Sequence, residues 1–451
     1  MRFRNTYILA GITMLVAAYI AVVEVHLKKK GESAAEKAKK VFNFDESAVR
    51  SITISGAGGE ILLTKVGVDR WLISKPLNTG ADEQTVKSLI TSIMELERKR
   101  EIPEKLQGKS LYGFDKPQGE ITVETETATF SLIVGNINPV SDALYIKKPD
   151  EDKIILSLRG VDSYLSKSVN DFRDKRVLRF KSDEVETISI SGGRQHILVQ
   201  KKQDGWWIVD PVNVMASNEE INRLFSALDG LRTDSFVDDK PRNLNVYGLN
   251  KPQASLTLLL KNKGILVFSI GKLNDKKTGI YAMRSGDSSV YLVRKSILED
   301  IVKDLNDLRE RRLFSIKPDD VKKIELGRFG EKVLFEKDNN GEWSVNGLRG
   351  KNYEIEELIR KLKDLKAEKF LDKNKKLINV SGLTNAGIVV RILIKGSKDP
   401  LMLEIGNDSG NDVYASNPGK PWIVTVNKSI KDFLLNPVSY FQEEKKQNLK
   451  E

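Results

Sequence analysis

One long pattern occurs three times along this chain. The first apolar residue of a strand-like stretch recurs every 136 residues, at Val49, Val185 and Val321. A tryptophan followed by a helical run of apolar residues recurs at intervals of 135 and 137 residues, at Trp71, Trp206 and Trp343. Repeats of solenoid proteins span only roughly 20–50 residues. The pattern therefore predicts three tandem domains, each long enough to bury its own core.

The repeat fixes a predicted division of the 451 residues. The predicted segments are a transmembrane anchor at 1–26, a polar stalk at 27–43, repeat modules at 44–179, 180–315 and 316–441, and a polar tail at 442–451. Each module alternates β-branched strand stretches with about two helical stretches. The predicted fold class is α+β, with a mostly antiparallel sheet and about two helices in each module.

Two local motifs recur inside the modules. Asp82 precedes apolar residues at helical spacing and is predicted to cap that helix. A Tyr-Gly signature follows it, at Tyr112-Gly113-Phe114 with Pro117 and at Tyr247-Gly248-Leu249 with Pro252. The third copy, Ser381-Gly382-Leu383, keeps the glycine and loses the tyrosine. This composition predicts a turn before a strand, and Gly135, Gly271 and Gly406 are predicted to end later strands.

Residues 7–23 form an apolar run that Glu24 interrupts. Seventeen residues make about 25 Å of helix, which spans a bilayer core with some local thinning. A cleaved signal peptide is the rival interpretation. Its apolar region would be shorter and would end in a small-x-small site, whereas Glu24, Val25 and His26 stand at that point here. We therefore expect an uncleaved, single-pass signal anchor.

Two arguments on membrane orientation oppose each other. Lys and Arg are more numerous after the apolar run than before it, which favours a cytoplasmic position for the modules. A short N-terminal tail that leads directly into an apolar run normally causes export of the downstream chain. We expect extracytoplasmic modules anchored in the cytoplasmic (inner) membrane of a bacterium.

Charge and cysteine content limit the classes of function. The net charge is +11, which indicates a solvated Lys-rich surface or attraction to an anionic membrane. The basic residues are spread over all three modules without a recognition motif, so we expect no nucleic-acid partner. The chain has no cysteine, which excludes disulfides, thiol catalysis and Cys-ligated metals.

The residues that usually carry catalysis do not form a recognisable constellation. His26 and His196 are the two histidines, and neither has an acid–base partner in the pattern. Adjacent acids such as Asp82 and Glu83 stand at helix starts, where capping and the helix dipole explain them. The glycine-rich stretches join two strands, whereas phosphate loops lead into a helix. We expect no enzyme activity, no metal and no cofactor.

Six residues are the candidate contacts to a partner or ligand. Trp207 and Trp422 have no counterpart in the other modules, unlike the repeated tryptophans, which are predicted to be core. Two basic segments, 173–176 and 309–312, close the first two modules and supply Arg173, Arg176, Arg309 and Arg312. These arginines suit the negative end of a helix, or they bind a neighbouring module or lipid phosphates.

The combined motifs resemble a bacterial family. An N-terminal anchor, Trp71 with Pro76, Ala81-Asp82 before a helix, and Tyr112-Gly113-Phe114 with Pro117 are similar to the domain of unknown function numbered 4340. The resemblance covers almost the whole chain after the anchor. Members are often encoded beside gliding-motility-type ABC transporters, so the resemblance implies transporter permease and auxiliary subunits as partners. It implies no catalytic residues.

Two functions of different classes are therefore expected. The first is a membrane-anchored, non-enzymatic, extracytoplasmic accessory or scaffold protein of an ABC-type transporter complex. The second is a cell-envelope protein that binds glycan or lipid, with Trp207, Trp422 and the basic segments as contacts.

Overall fold

The computed structural model describes residues 38–68, 70–103, 109–193, 195–262, 264–372, 375–418, 420 and 422–444. The predicted anchor at 1–26 lies outside the described residues, as do most of the predicted stalk and tail. Within the described ranges, no helix combines the length and the apolar character needed to cross a membrane.

Three nine-stranded antiparallel sheets, one per predicted module, form the framework. In the first sheet the strands lie in the order β4-β3-β2-β1-β6-β7-β8-β9-β5. They are β1 (Val49–Gly56), β2 (Gly59–Lys65), β3 (Trp71–Lys75), β4 (Thr79–Gly80), β5 (Arg100–Pro103), β6 (Gly119–Thr125), β7 (Thr129–Asn138), β8 (Ala143–Lys147) and β9 (Lys153–Leu158). The antiparallel α+β prediction is confirmed at this level.

The other two sheets repeat the same strand order. The second contains β10 (Val185–Gly192), β11 (Gln195–Lys202), β12 (Gly205–Asp210), β13 (Val214–Met215), β14 (Thr233–Asp238), β15 (Ala254–Leu260), β16 (Gly264–Leu273), β17 (Ile280–Arg284) and β18 (Val290–Val293). The third contains β19 (Val321–Arg328), β20 (Glu331–Lys337), β21 (Trp343–Val345), β22 (Leu348–Arg349), β23 (Lys369–Asp372), β24 (Ile388–Ile394), β25 (Leu401–Ser409), β26 (Asp412–Ser416) and β27 (Trp422–Asn427).

The chain groups into two compact units. The first holds the described residues up to Val177 together with Arg232–Asp238, and the second holds Leu178–Leu231 and the residues from Asp239 onward. The second and third modules thus share one unit, apart from β14.

Each module has one long amphipathic helix and short closing helices. The helices are α1 (Glu83–Met94), α2 (Asp162–Leu165), α3 (Val169–Phe172), α4 (Asn218–Asp229), α5 (Ile297–Ile301), α6 (Leu305–Leu308), α7 (Asn352–Asp364), α8 (Lys375–Ser381), α9 (Ser429–Leu434) and α10 (Val438–Phe441). As predicted, Asp82 caps α1, and its Oδ1 accepts a hydrogen bond from the Thr85 backbone N–H at 2.8 Å. Such caps stabilise a helix by about 1 kcal/mol.

The core of each module lies between its long helix and alternate residues of its strands. In the first module Val86, Leu89, Ile90 and Ile93 of α1 are buried with the inward residues of β1 and β2. The repeated tryptophans, Trp71, Trp206 and Trp343, are all buried. Their predicted core role is confirmed.

The Tyr-Gly signature forms a corner in which two backbones touch. Gly248 adopts a left-handed conformation with φ +70°, and a Cβ built on Gly271 would lie 2.1 Å from the Tyr247 carbonyl oxygen. Gly135 and Gly406 make the same approach, at 2.3 and 2.0 Å. Contrary to the prediction, Gly135, Gly271 and Gly406 do not end their strands. Each lies within a strand where the pairing register shifts, because a bulge accommodates the turn above it.

A short junction segment joins each module to the next. Arg309 forms a β-bridge with Ala216 of its own module, and Arg312 forms one with Lys366 of the third module. Arg173 and Arg176 do the same with Ala81 and Arg232 in the first compact unit. Arg173 and Arg309 directly follow α3 and α6, so the basic segments begin at helix ends, as predicted, and continue as extended junction segments.

The predicted outer borders of the repeats shift because of these bridges. Lys40 pairs with Glu97, and Val41 and Phe42 are buried in the first core, so the first module begins inside the predicted stalk at 27–43. Gln442 pairs with Gly350, which makes Gln442 the third-module counterpart of Arg173 and Arg309. The third module therefore extends into the predicted tail.

The third module closes differently from the others. Arg328 stands where the earlier modules have Gly56 and Gly192, and its guanidinium donates to the Leu434 carbonyl at 2.8 Å and to the Asn436 carbonyl. A cation at the carbonyl end of a helix is favourable. The arginine thus replaces the close glycine contact with a charged cap.

We expect Gly406→Ala to destabilise the third module. The new Cβ would lie 2.0 Å from a backbone oxygen that cannot move freely, and overpacking of this kind costs about 1–3 kcal/mol. Urea unfolding followed by circular dichroism measures the loss. Gly327→Ala is the matched control in the same sheet, because its Cβ would meet no atom closer than 3.8 Å. Equal stability of the two variants would contradict the close backbone contact between Ser381 and Gly406.

An ion pair near the start of the first module predicts a pH dependence. Arg98 donates to both carboxylate oxygens of Glu151, at 3.1 and 3.2 Å, and these hydrogen bonds lower the Glu151 pKa from 4.5 to about 2. A lowered pKa gives stability that is complete above pH 4.5 and is lost as the pH falls toward 2. We therefore expect Glu151→Gln to reduce the free energy of unfolding at pH 7 by at most about 1 kcal/mol, and the deficit to shrink toward pH 3.

Urea titrations at several pH values check this expectation. Asp152→Asn is the control, since it removes an exposed neighbouring charge and leaves the Arg98–Glu151 pair intact. A deficit in Glu151→Gln that stays constant or grows on acidification would refute the assignment.

Candidate functional site

Trp207 lies on β12 and is held by its own hairpin. Its indole Nε1 donates to Asp204 Oδ1 at 2.9 Å, and Lys202 Nζ lies 4.3 Å from the ring centroid. A cation at this distance covers the ring face and stabilises it by roughly 0.5–1 kcal/mol. A planar ligand would have to displace Lys202 to stack on that face.

Trp422 lies on β27 and is partly buried against the third core. Its ring contacts Phe370 edge to face, with centroids 6.1 Å apart, and Lys420 Nζ lies 5.8 Å from its centroid. The indole therefore contributes to packing inside the module.

The arginines of the first basic segment are used within the first compact unit. Arg173 is 2% exposed, and its guanidinium carbon lies 3.4 Å from the centroid of the Phe236 ring. Arg176 Nε donates to Asp174 Oδ1 at 3.1 Å, which raises the Arg176 pKa. Both side chains therefore make contacts within the protein beside the junction segment.

The second basic segment makes corresponding contacts in the second compact unit. Arg309 lies 5.1 Å from the Phe370 centroid. The Arg312 backbone N–H donates to Glu310 Oε1 at 2.9 Å. Two of the six predicted residues, Arg309 and Trp422, thus meet at Phe370, while Trp207 and Arg312 join no such cluster in the described contacts.

The described residues offer little for catalysis. No group of three or more His, Asp or Glu among them could hold a metal ion. His196 Nδ1 lies 3.0 Å from Ser191 Oγ across an exposed hairpin. The same register position holds Ser55 and Glu60 in the first module, so the Ser–His pair is not a shared feature of the repeat.

An open cleft of about 880 Å³ lies beside the signature corner of the first module. Its lining residues include Ile102 of β5, Leu111, Ile137 of β7, and Tyr112 and Tyr145, whose rings meet edge to face. The side chain of Leu111 is 63% exposed. The cleft thus has a mixed lining, because Arg100, Glu101, Asn136 and Asn138 also border it.

An exposed apolar side chain stands at the same corner in all three modules. The residue directly before the signature is Leu111 in the first module, Val246 in the second and Val380 in the third. Val246 is 55% exposed and Val380 is 53% exposed. We call these three residues the corner triad. Sequence reasoning missed them, although the repeated apolar residue before each signature glycine was a readable signal.

Similarity to solved structures is weak. A DNA polymerase III subunit beta from Pseudomonas aeruginosa is 8% identical, with 86% of this chain and 94% of that chain covered and a TM-score of 0.15. A DNA polymerase sliding clamp with ligand from the same organism is 9% identical, with coverages of 86% and 93% and a TM-score of 0.12. No curated protein matches the chain.

A family profile matches the chain three times, at residues 71–210, 206–385 and 346–447. The first two matches begin at the strand that carries the module's buried tryptophan and run across a junction segment into the next module. The unit that the family profile matches therefore begins at the third strand of a module in sequence order and not at the first. Because the matches together cover most of the chain, the protein belongs to the family described as Domain of unknown function (DUF4340).

Proposed function

We propose that the protein is a membrane-anchored, non-enzymatic scaffold or accessory protein of an ABC-type transporter complex, with its modules outside the cytoplasm. The apolar run at 7–23 supports the anchor. The choice of partner rests on the gene neighbourhood that the resemblance to DUF4340 proteins implies. Three tandem modules of one fold suit a protein that offers repeated contacts.

The corner triad is the observation that carries the scaffold function. A single exposed apolar residue is ordinary on a protein surface. Three at one equivalent position, each more than half exposed, lie outside the buried cores of their modules. Each also precedes a corner whose backbone is fixed by a glycine contact. Fixed, apolar and exposed positions are the properties of protein contact sites.

The contacts of the other candidate residues weaken the glycan- or lipid-binding alternative. That function relied on Trp207, Trp422 and the basic segments. Arg173 is buried, Arg309 and Trp422 contact Phe370, and Lys202 lies over Trp207. These side chains have intramolecular roles, so the accessory function is the better supported one.

Charge substitution in the corner triad tests the partner contact. We expect Val246→Asp, and more strongly the triple Leu111→Asp, Val246→Asp, Val380→Asp variant, to lose co-purification of a permease and an ATPase from native membranes. Mild-detergent extraction, crosslinking and mass spectrometry measure the loss. Ile265→Asp is the matched control, because Ile265 is 63% exposed in the second module outside the corner. Unchanged recovery from the triple variant would exclude the corners as the contact.

Membrane orientation has its own test, made simple because the chain lacks cysteine. We expect the thiol introduced by Ser226→Cys, at an exposed position of α4, to react with a membrane-impermeant maleimide when the reagent reaches only the outer face of the cytoplasmic membrane. Lys30→Cys and a cytoplasmic marker protein serve as labelling controls. Reaction of the α4 thiol only after lysis would place the modules in the cytoplasm and end the extracytoplasmic proposal.

A further inference from the structure

The junction between the second and third modules places one arginine in contact with both. The Arg309 backbone pairs with Ala216 at the edge of the second sheet. Its guanidinium lies 5.1 Å from the ring centroid of Phe370, on β23 of the third sheet. Both contacts lie within the second compact unit. The side chain therefore spans the boundary that the backbone crosses.

Phe370 is in turn fixed by the third module. Its ring meets Trp422 edge to face at 6.1 Å, and the backbones of β23 and β27 pair Asp372 with Trp422. Trp422 packs on the third core. Arg309, Phe370 and Trp422 form a continuous stack from the last residues of one module to the core of the next. We call it the junction stack.

Main-chain hydrogen bonds flank the stack. The Ala367 N–H donates to the Arg311 carbonyl at 2.7 Å, and the Leu313 N–H donates to the Leu365 carbonyl at 3.1 Å. Arg311 also donates through Nε to the Ala367 carbonyl at 2.9 Å. These bonds fix where the chain enters the third module. All of these bonds involve the short segment 311–313.

An Arg–Phe pair occurs at both described junctions between modules, and other residue types occupy these positions where there is no junction. Arg173 lies 3.4 Å from the Phe236 centroid in the first compact unit, which is the same pair one repeat earlier. At the start of the first module, Glu101 occupies the phenylalanine position and bonds Lys153. At the end of the third module, Gln442 occupies the arginine position and bonds the Val345 carbonyl of its own module at 3.1 Å. In the described residues, the Arg–Phe pair thus marks passages between modules.

We propose that the junction stack is a coupling device that holds the second and third modules in one fixed orientation. The guanidinium over the Phe370 ring adds a side-chain contact across the junction to the main-chain hydrogen bonds, and both groups are planar and rigid. The device acts on rigidity and does not depend on which partner the protein binds.

Distance measurements between spin labels in the full-length protein in detergent test the proposal. The chain has no cysteine, so Ser226→Cys on α4 and Lys363→Cys on α7 label exposed positions on the corresponding helices of the two modules without background. We expect one narrow distance distribution in the unaltered stack. Arg309→Met and Phe370→Leu should each at least double its width, and the double variant should add little, because both changes break the same stack.

Lys337→Met is the matched control. It removes another cation–aromatic contact, Lys337 over Trp343 at 5.7 Å, that lies wholly within the third module. The control should keep the narrow distribution. An unchanged width in Phe370→Leu, or equal broadening in Lys337→Met, would overturn the proposal. Phe370→Leu keeps an apolar side chain of similar size and decides the outcome if Arg309→Met does not fold by circular dichroism.

Discussion

The close contact between two backbones at the signature corner constrains each module more than any side chain does. The carbonyl oxygen of residue 112, 247 or 381 would lie only 2.0–2.3 Å from a Cβ added to a glycine in a neighbouring strand. That approach requires glycine on the strand and a bulge beside it. The bulge sets the position of the following strand, and the turn sets the position of the corner triad. Thus the position of the proposed contact surface depends on a contact between backbone atoms and not on side chains.

The sequence predicted the features that depend on local periodicity. The long helices and the buried tryptophans follow from apolar spacing and from a capping aspartate, and those signals are contained within about fifteen residues. The edge strands β5, β14 and β23 were not predicted. Each is short, and each pairs with a strand roughly 50 residues later in sequence, so no local pattern marks it. The strands that contain Gly135 and Gly271 extend beyond their predicted ends for a similar reason. A bulge depends on the pairing with the partner strand, which no local pattern shows.

The basic segments show which contacts residue type alone could not predict. Clustered arginines suggested the end of a helix or a surface for phosphates. Their partners are a phenylalanine about 60 residues further along the chain and backbone groups of two different modules, which only the fold brings together. Arginine suits this role, because its long stem packs while its planar head stacks. The corner triad is the reverse case, in which aliphatic residues are exposed.

The junction segments also decide where this chain can be cut. A fragment begun at Phe44, as the sequence repeat suggests, would discard Val41 and Phe42 from the first core, together with the bond from the Val41 N–H to the Leu96 carbonyl. One ended at residue 315 would separate Arg309 from Phe370. Excision along repeat borders would therefore yield pieces with an opened edge and an arginine removed from its aromatic ring. A fragment that keeps these contacts contains one sheet and the junction segment on each side of it, so neighbouring fragments overlap in sequence.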